Sequence, residues 1–212
     1  MSLEELRGEL VQVVNELYAT GLITATGGNV SLRVPDREQI LITPSQMFKG
    51  ELRPEIIVCI DVDGKRVGRE GPKPSMEWPM HCLIYRTRPD VKAVIHTHAP
   101  QTTILGLSGI PFLPVSTEAA FVGDLPRVPY YVPGTGELAR AVAEALGDGS
   151  AVLMQNHGLL VAASSLRRAA DLSEIIERTA EIILGCYAVN REPSLLPEDV
   201  VARLREMGKM MA

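Results

Sequence analysis

Aromatic residues are scarce in this chain of 212 residues: phenylalanine, tryptophan and tyrosine together make up 4% of it. A platform that stacks successive bases needs more rings than that. Basic charge is short as well. Against 26 Asp and Glu stand 21 Lys and Arg, a formal charge of -5, and no block of bases is present to neutralise a phosphate backbone. The expectation is no nucleic-acid partner. No apolar run approaches the ~20 residues of a membrane helix, and Met1 to Glu5 carries acids where a secretory leader carries bases. The chain reads as cytoplasmic, with no membrane attachment. Cysteine occurs three times, as Cys59, Cys82 and Cys186, with no Cys-x-x-Cys spacing. That excludes a disulfide framework and a cysteine-based zinc ribbon.

What is present is the balance of an ordinary folded domain, 46% hydrophobic and 22% charged. A chain of this length reads as one domain over residues 1–212, with a C-terminal tail from about 193. Its 18 Gly and 15 Pro punctuate many short elements. Leu6, Leu10, Val13, Val14 and Leu17 recur at helical spacing between a Ser2 cap and a Gly21 stop. Residues 29–34 and 39–43 read as strands, and 56–62 enters an Asp63-Gly64 hairpin returning at 66–67. Helices are expected over 75–86, 100–107, 136–146, 166–189 and 197–207, and extended segments over 93–96, 128–132, 151–155 and 159–162. The fold class is α/β, a strand-heavy sheet covered by helices.

The chemistry concentrates in four histidines. His96 and His98 end an apolar strand, where alternation puts them on one face about 7 Å apart along the backbone, close enough to converge on one cation. His157 follows a second apolar strand, at an end that projects side chains into a crevice. Three neutral imidazoles with one open position describe a catalytic metal site. Glu77 is the fourth candidate. Ser75 reads as a helix N-cap, which puts Glu77 in the first turn, where an acid is also common simply because it favours the positive helix end. His81 shares a face with Glu77 at i+4 and reads as a supporting or packed residue. Two polar turns suit an anion: Thr26-Gly27-Gly28-Asn29, whose glycines let backbone N–H groups approach phosphate oxygens, and Thr43-Pro44-Ser45, with Ser75 as a third side.

Taken in order, Thr26-Gly27-Gly28-Asn29-Val30-Ser31, Thr43-Pro44-Ser45, Pro74-Ser75-Met76-Glu77, His96-Thr97-His98 and Asn156-His157-Gly158 resemble the class II aldolase and adducin-head family, and within it the zinc-dependent fuculose-phosphate aldolases. The resemblance implies a single-domain three-layer sandwich whose central, mainly antiparallel sheet is flanked by helices. It also implies a homotetramer with its active site between subunits, Zn2+ or another divalent metal on His96, His98, His157 and Glu77, and a small phosphorylated sugar as substrate. Thr26, Gly28, Asn29, Thr43, Ser45 and Ser75 are then the phosphate residues. The implied reaction makes or breaks a C–C bond in a ketose 1-phosphate, giving dihydroxyacetone phosphate and an aldehyde through a zinc-stabilised enediolate, with Glu77 as acid and base. Sister chemistries on the same scaffold are methylthioribulose-1-phosphate dehydration, sugar-phosphate 4-epimerisation and keto-acid-phosphate decarboxylation. Family epimerases carry aspartate where this chain has Glu77, which argues against epimerisation.

The chain departs from the aldolase pattern in three places. Met76 stands where a serine is usual, and neither 112–118 nor 200–212 contains the tyrosine that those aldolases use. Glu118, Tyr130 and Tyr131 are candidate proton donors in its stead.

Overall fold

The computed structural model describes residues 1–211, with side chains to residue 208. Helix α1 (Leu3–Ala19) begins with a complete capping box: Ser2 Oγ accepts from Glu5 N while Glu5 Oε2 accepts from Ser2 N. Such a cap is worth about 1 kcal/mol. The chain then lays down β1 (Asn29–Arg33), β2 (Gln39–Ile42) and β3 (Val58–Asp61), followed by α2 (Trp78–Thr87), β4 (Ala93–Thr97) and α3 (Pro100–Leu107). After α4 (Thr117–Val122) come β5 (Arg127–Val128), α5 (Gly136–Leu146), β6 (Ala151–Met154) and β7 (Gly158–Ala163). The long α6 (Leu166–Ala188) and α7 (Glu198–Met211) close the chain.

The strands form one seven-stranded sheet in the order β3-β2-β1-β4-β7-β6-β5. All neighbours are antiparallel except β5 and β6. This is the expected α/β class, and the two-residue side-chain period explains its layers. Val30, Leu32, Leu41, Ala93, Ile95, Leu159 and Val161 point to one face and pack with α1 and α6. Ile40, Ile42, Val58, Ile60, Val94, Val152, Leu160 and Ala162 point to the other and pack with α2 and α5. Each fully buried aliphatic side chain contributes about 1.5–3 kcal/mol.

Several boundaries differ from the sequence reading. The return strand over 66–67 shrinks to one bridge, Ile60 with Arg66, because Asp61 Oδ1 holds the turn by accepting from Asp63 N and Lys65 N. The segment 128–132 pairs only at Arg127–Val128, since Pro129 cannot donate to a ladder. Helix α4, capped by Ser116, has no counterpart in the sequence reading. Helix α2 starts at Trp78, not Ser75: Pro79 fits the first turn, and Ser75 is engaged elsewhere, its N–H donating to Thr43 O at 3.0 Å. Glu77 is therefore the N-cap and not a first-turn residue, yet its carboxylate caps nothing.

Antiparallel pairing decides where chemistry sits. The start of β1, the ends of β2 and β4 and the start of β7 all lie at one end of the sheet, and Asn29 faces His96 in register.

Candidate metal and anion site

His96 is buried, on the α2 face of β4. Its Nδ1 lies 3.0 Å from Leu159 O, so Nδ1 carries the proton and Nε2 keeps a free lone pair. His98, just beyond the strand, is anchored by its backbone N–H donating to Leu22 O at 3.0 Å. Its Nε2 is 3.1 Å from His96 Nε2. Two nitrogens bound at about 2.05 Å to one tetrahedral ion would sit about 3.3 Å apart, so this spacing fits shared ligation. His157 follows Asn156, which turns the chain at φ 58, and its ring centroid is 4.7 Å from that of His96. One nitrogen from each of His96, His98 and His157 falls within 4.8 Å of the other two. Burial pushes the His96 pKa down to about 3, and burial followed by His157 lowers that of His98. Burial thus favours the neutral, ligating form of the His96 and His98 rings.

Glycine makes this packing possible. A Cβ on Gly158 would stand 2.2 Å from Thr97 O and 3.0 Å from His96 Cε1. Gly28 has φ 78, and a Cβ there would meet Ile23 at 2.5 Å and His96 O at 3.0 Å. The paired glycines that read as an anion loop thus also let that loop close on the histidine strand.

Glu77 completes the cluster. Its Oε2 is 3.4 Å from His96 Nε2 and its Oε1 is 3.2 Å from His157 Nε2. Burial alone would raise the carboxyl pKa, but the pull of His96, His157 and Asn29 outweighs it and holds Glu77 ionised, well below the usual carboxylate range. Glu77 Oε1 and His157 Nδ1 are buried without a hydrogen-bond partner. A carboxylate oxygen orphaned beside three convergent imidazoles is what a divalent cation satisfies, so the donor set fits one.

Behind Glu77 runs a buried chain that sequence reading did not anticipate beyond a supporting role for His81. Asn29 Nδ2 donates to Glu77 Oε2 at 2.7 Å, and Asn29 Oδ1 lies 2.5 Å from His81 Nε2. His81 Nδ1 is 2.6 Å from Ser31 Oγ, which is 2.8 Å from the Tyr85 hydroxyl. Because the carboxylate can only accept, every polarity follows: Tyr85 donates to Ser31, Ser31 to His81, His81 to Asn29, and Asn29 to Glu77. Burial pushes the His81 pKa down to about 4, consistent with the neutral tautomer this order requires.

The remaining anion candidates assemble on one rim. Pro44 bridges Pro74, Ser45 N donates to Lys73 O at 2.9 Å, and Thr43 Oγ1 accepts from Val30 N at 3.2 Å. Ser75 Oγ accepts from Glu77 N at 3.3 Å, and Thr26 is exposed. Asn29 is the one whose side chain is committed to Glu77 and His81. Of the alternative proton donors, Glu118 is exposed on α4, Tyr130 is exposed and Tyr131 is half-buried. A Cβ on Gly134 would meet Met76 O at 2.8 Å, so the loop after Tyr130 and Tyr131 abuts the residue preceding Glu77. Among the described residues, no helix is long and apolar enough to cross a membrane.

Comparison with known proteins agrees with this geometry. The family model for the class II aldolase and adducin N-terminal domain matches residues 8–184. The 5-deoxy-D-ribulose 1-phosphate aldolase of Bacillus thuringiensis serovar kurstaki is 37% identical over 205 residues, 96% of this chain and 95% of that protein. The 3-oxo-tetronate 4-phosphate decarboxylase of Escherichia coli K12 is 36% identical over 188 residues, covering 85% of this chain and 86% of its own. A solved L-fuculose 1-phosphate aldolase superposes with TM-score 0.88 at 34% identity, covering 97% of this chain and 96% of that one.

Proposed function

The chain belongs to the class II aldolase and adducin N-terminal domain family, and we propose that it is a zinc-dependent aldolase of that family, acting on a ketose 1-phosphate to give dihydroxyacetone phosphate and an aldehyde. The observation that carries the reading is the convergence of His96, His98 and His157 on one point with an ionised Glu77 against them. In this reading the whole chain is one catalytic domain. His96, His98 and His157 hold the metal, with Glu77 able to join them. The cation, when bound, supplies a Lewis acid for the carbonyl and neighbouring hydroxyl oxygens of the substrate. Glu77 accepts the proton whose removal accompanies C–C cleavage and returns one to the ketose fragment. Thr26, Gly28, Asn29, Thr43, Ser45 and Ser75 hold the phosphate, Asn29 through its backbone because its amide is engaged.

The same proposal includes a homotetramer in the cytoplasm. Met76, Tyr130 and Val132 are 59%, 56% and 61% exposed, and the loop after Tyr130 lies beside Met76, an apolar rim of the kind a second subunit covers. Three free cysteines suit a reducing compartment. A second reading, decarboxylation of a 3-oxo acid phosphate at the same site, is favoured by the decarboxylase relative and by the lack of tyrosine in 112–118 and 200–212.

The deciding experiment offers metal-loaded protein a panel of ketose 1-phosphates, including the fuculose and 5-deoxyribulose forms, and follows dihydroxyacetone phosphate by coupled reduction. The expected result is release that a chelator abolishes. No release from a protein shown to hold its metal, together with carbon dioxide evolved from a 3-oxo acid phosphate, would replace the aldolase reading with the second one.

A further inference from the structure

Lys49 is 1% exposed, the most deeply buried cationic side chain among the described residues. It opens a single 3-10 turn, Lys49–Glu51, and its Nζ donates to Pro44 O at 3.2 Å. An ammonium has three donors, and this one uses a single carbonyl. No carboxylate pairs with it among the described residues, and burial pushes its pKa down to about 8, which leaves it charged at neutral pH. A buried charge without a counter-charge is expensive, and proteins keep one where something else neutralises it.

Its location says what that is. Lys49 N donates to Ala25 O at 2.8 Å, which ties it to the loop carrying Thr26, Gly28 and Asn29. Its Nζ holds Pro44, between Thr43 and Ser45, and the Thr43–Ser45 turn is in turn joined to Pro74 and Ser75 through the Ser45 to Lys73 and Ser75 to Thr43 bonds. Lys49 thus bonds directly to two of the three segments assigned to the phosphate, and the third is joined to it through the Thr43–Ser45 turn. Met76, next to Ser75, brings no hydroxyl, so the rim is poorer in neutral donors and gains from a fixed positive charge.

We infer that Lys49 is the counter-charge for the substrate phosphate, a specificity-determining residue that makes the rim prefer a dianion to an uncharged group. This rests on the sugar-phosphate reading above. Lys49 acts through the Pro44 turn and through its field in a low-dielectric setting, and is not placed against the reacting atoms. A lysine present only to hold the Pro44 carbonyl could be replaced by any neutral donor of similar reach, and that distinction makes the inference testable.

The test titrates inorganic phosphate into the full-length, metal-loaded protein and its variants by calorimetry, and compares kcat and KM for a phosphorylated ketose and its unphosphorylated counterpart. Lys49→Gln keeps a donor for Pro44 O and removes the charge. It is expected to weaken phosphate binding by about tenfold or more and to raise KM for the phosphorylated ketose alone, with kcat little changed. Lys49→Arg is expected to stay within about threefold of the parent. Lys73→Met, at an exposed neighbouring cation, controls for general surface charge. If Lys49→Gln fails to fold, Lys49→Met fills similar volume but removes the charge and the donor for Pro44 O together, and the difference between the phosphorylated and the unphosphorylated ketose then carries the test. Unchanged phosphate affinity, or equal losses for phosphorylated and unphosphorylated ketoses, would overturn the inference. A folded parent that binds its metal but neither phosphate nor any phosphorylated ketose would take down the sugar-phosphate reading with it.

Discussion

Asn29 and Glu77 stand 48 residues apart in sequence, and their buried side chains are joined at 2.7 Å, Nδ2 donating to Oε2. That bond leaves Glu77 Oε1 free and turned to His157, and it links the carboxylate to the buried His81, Ser31 and Tyr85. The helix-capping role open to an acid at this position is thereby declined. Its oxygens face the histidines and Asn29, and none accepts from the helix.

Replacing His96 by alanine is expected to remove metal and activity together, since His96 is the ring whose tautomer Leu159 O fixes and whose Nε2 meets both His98 and Glu77. Metal content by elemental analysis, read beside turnover, checks this. Full occupancy in the variant would exclude His96 as a ligand.

Glu77→Gln should keep the metal while turnover falls by about 10²–10⁴, the usual worth of a positioned acid or base. The amide preserves volume but cannot take up a proton. An unchanged rate would remove Glu77 from proton transfer.

His81→Phe breaks the directed chain in its middle, leaving Asn29 Oδ1 and Ser31 Oγ buried without their present partner. The expected loss is about 1–3 kcal/mol of stability. A drop in kcat with metal content retained should accompany it, as Asn29 loses its hold on Glu77. Urea unfolding and steady-state kinetics on the same preparation separate the two, and a stability loss with kcat intact would confine the chain to a structural role.

Lys49 has a pH signature of its own. Its pKa is about 8 in the folded protein against an ordinary 10.5, so between those values the unfolded chain holds a proton that the folded chain has released. Stability therefore rises with pH across that window, and below it the folded state bears the full desolvation penalty, about 3 kcal/mol at 1.36 kcal/mol per unit. Lys49→Met is expected to gain on the parent at neutral pH, with the difference shrinking by about 3 kcal/mol as pH climbs to about 11. A difference that stays constant with pH would mean that Lys49 is not desolvated.

Gly158→Ala should destabilise by about 1–3 kcal/mol or more, because the added methyl lands 2.2 Å from Thr97 O, between β7 and β4. Metal affinity should fall with it, since the same strand edge sets the His96 to Leu159 bond. Thermal melting with and without added metal reads both effects.

The elements most legible in the sequence are those specified by near neighbours. Helix α1 announces itself by the Ser2 and Glu5 box and by its apolar stripe, and α3 and α5 match their expected bounds, α3 opened by Pro100 in its first turn and α5 capped by Thr135. The short β5 and the lost return strand at 66–67 depart from the sequence reading for one reason: an extended segment becomes a strand only where a partner offers an unbroken ladder, and Pro129 and the Asp61 turn deny it one. Helix α2 starts later than its sequence suggests because Ser75, a good cap by residue type, is bonded to Thr43, which lies in a distant part of the sequence.

The sequence alone determined the α/β class, the His96-Thr97-His98 spacing that turns two imidazoles the same way, and the candidate histidine, glutamate and hydroxyl residues, because two-residue alternation and residue type are local properties. Only the tertiary structure decided that β1, β4 and β7 bring Asn29, His96 and His157 to one end of the sheet, that Glu77 faces them with Tyr85, Ser31, His81 and Asn29 aligned behind it, and that Lys49 is buried against the Pro44 carbonyl. Those relations join residues tens of positions apart, and their cause is the burial of apolar strand faces against α1, α2, α5 and α6, which fixes where polar side chains on the same strands must meet.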